Sequence, residues 1–149
     1  MVIRSAVRDD ATRIGELMEG GALAASPHPP FVVAELEDAL SEILADESCD
    51  VLVAELDGRI VASAQLITFR HLQHRGGRCA EIESMHVDEA VRSQGIGTAL
   101  LGALVDGARQ RGCYRIQLTS NKQRPDAHRF YARQGFTATH EGFKRYLDQ

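Results

Sequence analysis

One short stretch of sequence decides the fold of this chain. It runs from Val87 to Leu100 and reads VDEAVRSQGIGTAL. Gly95 and Gly97 stand where an amphipathic segment begins, so they leave backbone N–H groups uncovered by side chains. Such amides, together with the positive end of a helix dipole, bind phosphate oxygens. Arg92 adds a full positive charge beside them. The stretch therefore predicts a phosphate-binding turn at the start of a helix.

Two common nucleotide-binding motifs do not match this turn. A dinucleotide-binding fold needs a third glycine where this chain has Leu100. A P-loop needs lysine followed by serine or threonine after the second glycine, and here Thr98 and Ala99 follow. Taken alone, the two glycines are equally typical of a tight turn with close helix–sheet packing. The choice between these two interpretations depends on the rest of the chain.

Hydrophobic periodicity places further elements on both sides of the turn. After it, apolar residues recur at helical spacing from Ile96 to Ala108. Other segments are bounded by Gly, Pro and Asp-Gly turn signals. The predicted strands are Val2–Val7, Asp50–Leu56, Arg59–Phe69, Cys79–Val87 and Tyr114–Thr119, with one or two more between Thr137 and Leu147. Helices are predicted after Asp10, from Val32 to Leu44 and from Pro125 to Gly135. This order predicts an α/β fold built on a mixed sheet.

Composition limits the class of protein. The chain has 149 residues, of which 44% are hydrophobic and 26% are charged, as expected for one globular domain over residues 1–149. A net charge of −4 argues against a nucleic-acid-binding protein. Cys49, Cys79 and Cys113 form no metal-binding pattern and are expected to be reduced core thiols. The sequence has no signal-peptide pattern and no membrane-spanning apolar run, so a cytoplasmic location is expected.

Two motifs in register give the chain a family resemblance. The first is Arg92-x-x-Gly95-x-Gly97 after Val87, and the second comprises Asn121, Ala127, Phe130-Tyr131 and Gly135-Phe136. Together they resemble the acetyl-CoA signature of the GNAT superfamily of N-acetyltransferases, over nearly the whole chain. The resemblance implies a single-domain fold with a central mixed, splayed β-sheet and helices on both faces. It also implies acetyl-CoA as co-substrate. A metal site at His71 and His74 is not expected, since no third ligand is near in sequence.

The resemblance assigns cofactor-binding residues along three segments. The backbone of Met85 and Val87 would hold the pantetheine arm and the thioester carbonyl. Asn121 would donate a hydrogen bond to the same arm. The pyrophosphate would be bound beside Arg92 by the backbone amides of the turn, which are those of Gln94, Gly95, Ile96, Gly97 and Thr98.

Acetyl transfer to an amine requires a base for the ammonium and an acid for the departing thiolate. Tyr131 matches the tyrosine that commonly supplies this proton in the family. Glu81 and Glu83 are both candidates for the base, because residues two apart on a strand share a face. The alternative interpretation of the two glutamates is a solvated strand face.

The acceptor is the least defined part of the prediction. Residues 119–131 and the hairpin from His71 to His74 resemble aminoalkylphosphonate N-acetyltransferases, which implies a small primary amine bearing an anionic group. A basic rim for that anion would comprise Arg70, His71, His74, Arg75 and Arg78, unless these residues form only a solvated hairpin tip. The loop from Gly20 to Pro30 would line the acceptor side. The resemblance also implies a homodimer.

Two other functions are compatible with the same motifs. One is acetylation of a lysine or an amino terminus on a protein or peptide, which Ala80-Glu81-Ile82 suggests by its similarity to histone-type members. The other is a non-catalytic sensor that binds acetyl-CoA and needs neither acid nor base.

Overall fold

The described part of the chain contains a five-stranded sheet whose strands lie side by side in their order of sequence. The structure, a computed structural model, describes residues 1–21 and 29–147. Its strands are β1 (Val2–Ser5), β2 (Cys49–Leu56), β3 (Arg59–Arg70), β4 (Arg78–Val87) and β5 (Cys113–Leu118). Each neighbouring pair is antiparallel except β4 and β5, which are parallel. The mixed sheet predicted from sequence is confirmed.

Helices cover the two faces of this sheet. The helices are α1 (Ala11–Gly20), α2 (Val33–Ala45), the single turn α3 (Gln73–Gly76), which lies in the hairpin between β3 and β4 and covers neither face, α4 (Ile96–Gln110) and α5 (Pro125–Arg133). On one face, Leu17 of α1 and Leu40 of α2 pack with Val53 of β2. On the other face, the buried stripe of α4, which includes Leu100 and Leu104, packs with the inner side chains of β3 and β4. The predicted helical spacing of α4 is therefore what builds this core.

At the junction between β1 and α1 the helix begins directly after Asp10, as predicted. Asp10 makes no side-chain cap on α1. Instead its buried carboxylate accepts hydrogen bonds from the Arg4 guanidinium at 2.7 Å and from the Val7 amide at 2.8 Å. Burial would raise the pKa of Asp10, but the Arg4 and Val7 hydrogen bonds outweigh it and lower the pKa below its ordinary value. Asp10 thus links β1 to α1 as an ion-pair partner.

The pairing of β4 with β5 ends with the last residue of β5, before the end of β4. Their pairing runs from Arg78 with Cys113 to Ile82 with Leu118, whereas β4 continues to Val87. A shift in the register of β3 with β4 occurs between Ser63 and Gln65, opposite Ser84, whose φ is 50°. This bulge re-aims the end of β4. An opening therefore lies beyond Ile82, next to the amino end of α4.

The strands predicted between Thr137 and Leu147 are wrong. The structure has no strand over residues 137–147. Phe143, Tyr146 and Leu147 are 94%, 84% and 79% exposed. A strand forms only where its backbone groups pair with a neighbour, and this segment pairs with no strand among the described residues. Its apolar side chains also lack the strict alternation that would bury one face.

Several other predictions have partial outcomes. Most of the Gly20–Pro30 loop lies outside the described residues. Cys79 is buried, while Cys49 and Cys113 are half-buried, and all three are free thiols. Among residues 1–21 and 29–147, no helix is long and apolar enough to span a membrane. In the same ranges, no cluster of three or more His, Cys, Asp or Glu side chains is arranged to hold a metal ion.

Candidate active site

The turn before α4 presents backbone amides at the helix entrance. Gly95, with φ 81° and ψ 0°, is the residue immediately before the helix, a left-handed conformation that suits glycine. The first bond of the helix runs from the Ala99 amide to the Gly95 carbonyl at 3.0 Å. The amides of Ile96, Gly97 and Thr98 therefore precede that bond and lie at the positive end of the helix dipole. This arrangement suits a phosphate group.

The Arg92 side chain lies beside the turn and is held only by surface contacts. Its guanidinium contacts Glu89 at 3.1 Å and the Val87 carbonyl at 3.4 Å. Its side chain is about half exposed, and that of Glu89 is more exposed still. Exposed pairs of this kind contribute little stability. The Arg92 side chain is thus held loosely beside the amides, where an anion would compete with Glu89 for its charge.

Asp88 anchors the turn to the rest of the fold, a role that the sequence analysis missed. It accepts the Ala90 amide at 3.0 Å and so caps the short 3₁₀ turn Glu89–Val91. Its other oxygen accepts Arg13 of α1 at 2.5 Å and Arg59 of β3 at 3.3 Å. The Ala90 amide, followed by the two arginines, lowers the pKa of Asp88 despite some desolvation. An ionised Asp88 therefore ties the turn to two other elements.

The two candidate bases lie on the face of β4 that points away from α4. Ile82, between them, belongs to the core under α4. Glu81 accepts a hydrogen bond from the Gln117 side chain at 2.5 Å, so β5 holds it within the paired part of the sheet. Glu83 is exposed and directly follows Ile82, which is the last residue of β4 that pairs with β5. The structure therefore places Glu83, rather than Glu81, at the edge of the opening.

Tyr131 lies on α5 among aromatic rings. Its ring contacts those of Phe130 and Phe136 edge to face, at centroid distances of 5.2 and 5.9 Å. All three rings pack against the core under α4. Burial raises the pKa of Tyr131 above its ordinary value, and the positive charge of Arg124 opposes part of this effect. The phenol is therefore protonated at neutral pH and can donate a proton.

The other residues predicted to bind the cofactor lie on the end of β4 and in the turn after β5. Met85 and Val87 are half-buried and contact the core under α4. Asn121 follows β5, and its side-chain oxygen accepts the Gln123 amide at 2.8 Å. Its carbonyl accepts the Arg124 amide at 3.0 Å, so Asn121 shapes the turn that leads into α5. Its predicted hydrogen bond to a pantetheine arm stays a prediction.

Two residues that the sequence analysis did not select border the opening from the side of α1. The Arg124 guanidinium donates to the Gly21 carbonyl and so joins the start of α5 to the end of α1. The His86 ring lies directly against Gly21, where an added Cβ would be 2.5 Å from Nδ1. Close packing against His86 therefore requires glycine at position 21. In the sequence, only the Gly20-Gly21 pair at the end of the predicted helix pointed to this contact.

The basic hairpin tip lies at the other end of β4. Arg78 starts the strand, five residues before Glu83, a separation of about 17 Å along a strand. His71 Nε2 is 2.8 Å from the Tyr114 hydroxyl, and the His74 ring stacks on Tyr114 at 3.9 Å. The two histidines therefore pack on β5, and this geometry does not support the predicted rim for a small acceptor.

Comparison with known families fits this geometry. Residues 19–136 match the Acetyltransferase (GNAT) family. This chain belongs to the GNAT family. Enzymes of this family use acetyl-CoA, and the chain is accordingly an acyltransferase. The match includes the turn at Arg92, Asn121 and Tyr131, which are the motifs that first suggested it.

Two relatives of this GNAT chain are named as acetyltransferases of small amines. Glucosamine 6-phosphate N-acetyltransferase 1 of Oryza sativa is 37% identical over 115 residues, which cover 74% of this chain and 67% of the relative. Aminoalkylphosphonate N-acetyltransferase of Salmonella typhimurium is 34% identical over 110 residues, which cover 74% of this chain and 71% of the relative. The predicted resemblance to aminoalkylphosphonate N-acetyltransferases is confirmed.

Solved structures agree with the fold throughout. A transcriptional regulator from Bacillus halodurans superposes with a TM-score of 0.91 at 34% identity, covering 98% of this GNAT chain and 99% of its own. Glucosamine-6-phosphate N-acetyltransferase from Arabidopsis thaliana has a TM-score of 0.81 at 22% identity, covering 99% and 98%. The second likeness shows the fold alone.

Proposed function

We propose that this GNAT enzyme transfers the acetyl group of acetyl-CoA to a primary amine of a small, anionic molecule by direct attack in a ternary complex. The observation that carries the proposal is the opening between β4 and β5, which adjoins the uncovered amides at the start of α4. The activities of the curated relatives support a small acceptor bearing a phosphate or phosphonate group.

In the proposed complex, the amides from Gln94 to Thr98 and the Arg92 guanidinium bind the pyrophosphate. The backbone of Met85 and Val87 and the Asn121 side chain hold the pantetheine arm in the opening. The amine nitrogen attacks the thioester carbonyl carbon, so that a C–N bond forms and the C–S bond breaks. Tyr131 gives its phenol proton to the departing thiolate, because burial keeps that phenol protonated.

The amine must also lose a proton, and Glu83 is the better placed of the two candidate bases. It stands at the edge of the opening, whereas Glu81 is engaged by Gln117. A carboxylate at this position can accept the ammonium proton directly or through one water. Glu81 then orients Gln117 and contributes negative charge to the same face.

A homodimer is part of the proposal. Among the residues that the structure describes, β5 is an edge strand of the sheet, and the exposed apolar residues of the carboxyl-terminal segment follow α5. Large exposed apolar side chains are typical of association surfaces. A second copy of this chain would cover Phe143, Tyr146 and Leu147.

The proposed activity is tested by measuring thiol release from acetyl-CoA with a panel of acceptors. The panel comprises glucosamine 6-phosphate, an aminoalkylphosphonate, simple alkylamines and a lysine peptide. Release with a small anionic amine, with the acetylated product identified by mass spectrometry, is the expected result. Release only with the peptide would favour a protein acetyltransferase. Acetyl-CoA binding without release for any acceptor would favour the sensor.

A further inference from the structure

A partly open apolar cavity of about 80 Å³ lies between the two amino-terminal helices and the sheet. A single water needs about 10–15 Å³ of such space, so the cavity can hold a group of several heavy atoms. Its walls are mostly aliphatic. They are formed by Ala11, Ile14 and Met18 of α1, by Leu36, Leu40 and Ile43 of α2, and by Val51 of β2.

One end of the cavity is polar and contains a buried hydroxyl. Ser63, Gln65 and Ser84 line this end. Ser63 is 2% exposed, and its Oγ has no hydrogen-bond partner among the described residues. A buried hydroxyl without a hydrogen-bond partner costs about 1–3 kcal/mol of folding free energy, and such hydroxyls are rare in native proteins. The Ser63 hydroxyl is therefore suited to bind a polar atom of a ligand in the cavity.

This polar end adjoins the proposed site of acetyl transfer. Ser84 follows Glu83 directly and lies at the bulge where β4 has already left β5. Ser84 is exposed, whereas Ser63 on the neighbouring strand is buried. The cavity thus leads from the face of β4 that carries Glu83 into the space beneath α1 and α2.

We propose that this cavity binds the substituent of the acceptor amine, which is a short aliphatic group carrying one oxygen atom that accepts a hydrogen bond from Ser63. The proposal rests on the proposed function, since it concerns the acceptor of the same reaction. An anionic group of the acceptor would remain outside, because the aliphatic wall offers a charge no partner. The cavity therefore selects the length and polarity of the acceptor's uncharged end.

The test compares kcat/KM for methylamine, pentylamine and 3-methoxypropylamine, the last two having chains of equal length. Wild-type kcat/KM should rise from methylamine to pentylamine, because each methylene buried contributes about 0.8 kcal/mol. The methoxy compound should exceed pentylamine by about fivefold, as one net hydrogen bond of about 1 kcal/mol predicts. Ser63→Ala should abolish that preference. Because the ratio of kcat/KM for the two amines is compared between wild type and variant, any difference in the basicity of the amines cancels.

Ser41→Ala on the outer part of α2 is the matched control and should keep the preference, since Ser41 bonds to the Glu37 carbonyl away from the cavity. Ser63→Ala removes an unpaired hydroxyl, so its melting temperature should equal or exceed that of the wild type. Acetylation of methylamine without selectivity for chain length or oxygen would overturn the cavity proposal and leave the proposed function standing. Acetylation of the anionic amines of the first panel but of none of these three amines would likewise overturn only the cavity proposal, and acetylation of none of the amines in either panel would overturn both.

Discussion

Tyr131 is the residue on which the proposed acid step depends. Tyr131→Phe keeps the ring that packs between Phe130 and Phe136, so folding should be preserved. Loss of the phenol proton should lower kcat by about 100-fold, within the usual range for general acids. The KM for acetyl-CoA should stay within about twofold, because the lost interaction belongs to the transition state. Steady-state kinetics with a saturating amine measures both quantities.

The acid role of Tyr131 also predicts how kcat depends on pH. The acid must be protonated, so its contribution is present below the pKa of Tyr131 and is lost as pH rises through it. Burial raises that pKa, so the alkaline limb of kcat should lie above the range in which an ordinary tyrosine titrates and be absent in Tyr131→Phe. Tyr114→Phe, at the other end of the sheet, is the control. An unchanged kcat in Tyr131→Phe would remove Tyr131 from the acid step.

Arg13 is predicted to act as a positioning residue through Asp88. Its guanidinium donates to Asp88 at 2.5 Å and to the Ile60 carbonyl at 2.9 Å, and its side chain is largely buried. Arg13→Met should raise the KM for acetyl-CoA about 10-fold with little change in kcat, because a loosened turn weakens ground- and transition-state binding alike. Arg13→Lys should restore part of the affinity.

Arg109→Met is the matched control for Arg13. It breaks an exposed pair with Asp106 on α4, of a kind that contributes little. Equal values of KM for Arg13→Met, Arg109→Met and the wild type would show that Asp88 holds the turn without this arginine.

At the residue scale, sequence predicted the groups that belong to a motif and missed those that act across the fold. Gly95 and Tyr131 stand at fixed spacings from other motif residues, so a linear pattern reveals them. Arg13 meets Asp88 across 75 positions, and Arg124 meets Gly21 across 103. Nothing in the local sequence of either arginine encodes its partner, because tertiary packing alone brings the two together.

At the scale of an element, the stability of α4 should respond in opposite ways to glycine substitution just before the helix and in its interior. Gly95 has φ 81°, whereas Gly102 lies exposed in the helix interior, and an added Cβ would meet no atom within 4 Å at either. Gly95→Ala should cost about 1–2 kcal/mol of unfolding free energy through left-handed strain. Gly102→Ala should add about 0.5–1 kcal/mol through reduced chain entropy.

Urea denaturation measures both changes, and isothermal titration with acetyl-CoA reports their effect on binding. Gly95→Ala should also weaken acetyl-CoA binding, since it displaces the amides beside it, while Gly102→Ala should not. Equal shifts of stability in the same direction would contradict the assigned conformation of Gly95.

Elements were predictable where periodicity and turn chemistry agreed. The Asp57-Gly58 turn and the alternation around it placed β2 and β3 within one residue of their observed ends. The carboxyl-terminal segment failed because Phe143 and Tyr146 are apolar without sharing a strand face. The bulge at Ser84 has no local signal either, since its φ of 50° arises from the change in register with β3.

The whole molecule is predicted to be a dimer that buries its apolar tail. The double substitution of Phe143→Ser with Tyr146→Ser should convert a dimer into a monomer, because these rings are 94% and 84% exposed in the single chain. Leu72→Ser, at the hairpin tip and 98% exposed, is the matched control and should remain dimeric. Light scattering after gel filtration measures the mass. A monomeric wild type at micromolar concentration would contradict the proposed assembly.

The central claim is that acetyl-CoA binds in the opening between β4 and β5 with its pyrophosphate on the turn before α4. A crystal structure of the complex tests it most directly. The pyrophosphate oxygens should lie within about 3.2 Å of amide nitrogens between Gln94 and Thr98. The pantetheine arm should run beside Met85, with its sulfur near the Tyr131 hydroxyl. Acetyl-CoA bound elsewhere, or a pyrophosphate that makes no contact with this turn, would contradict the account.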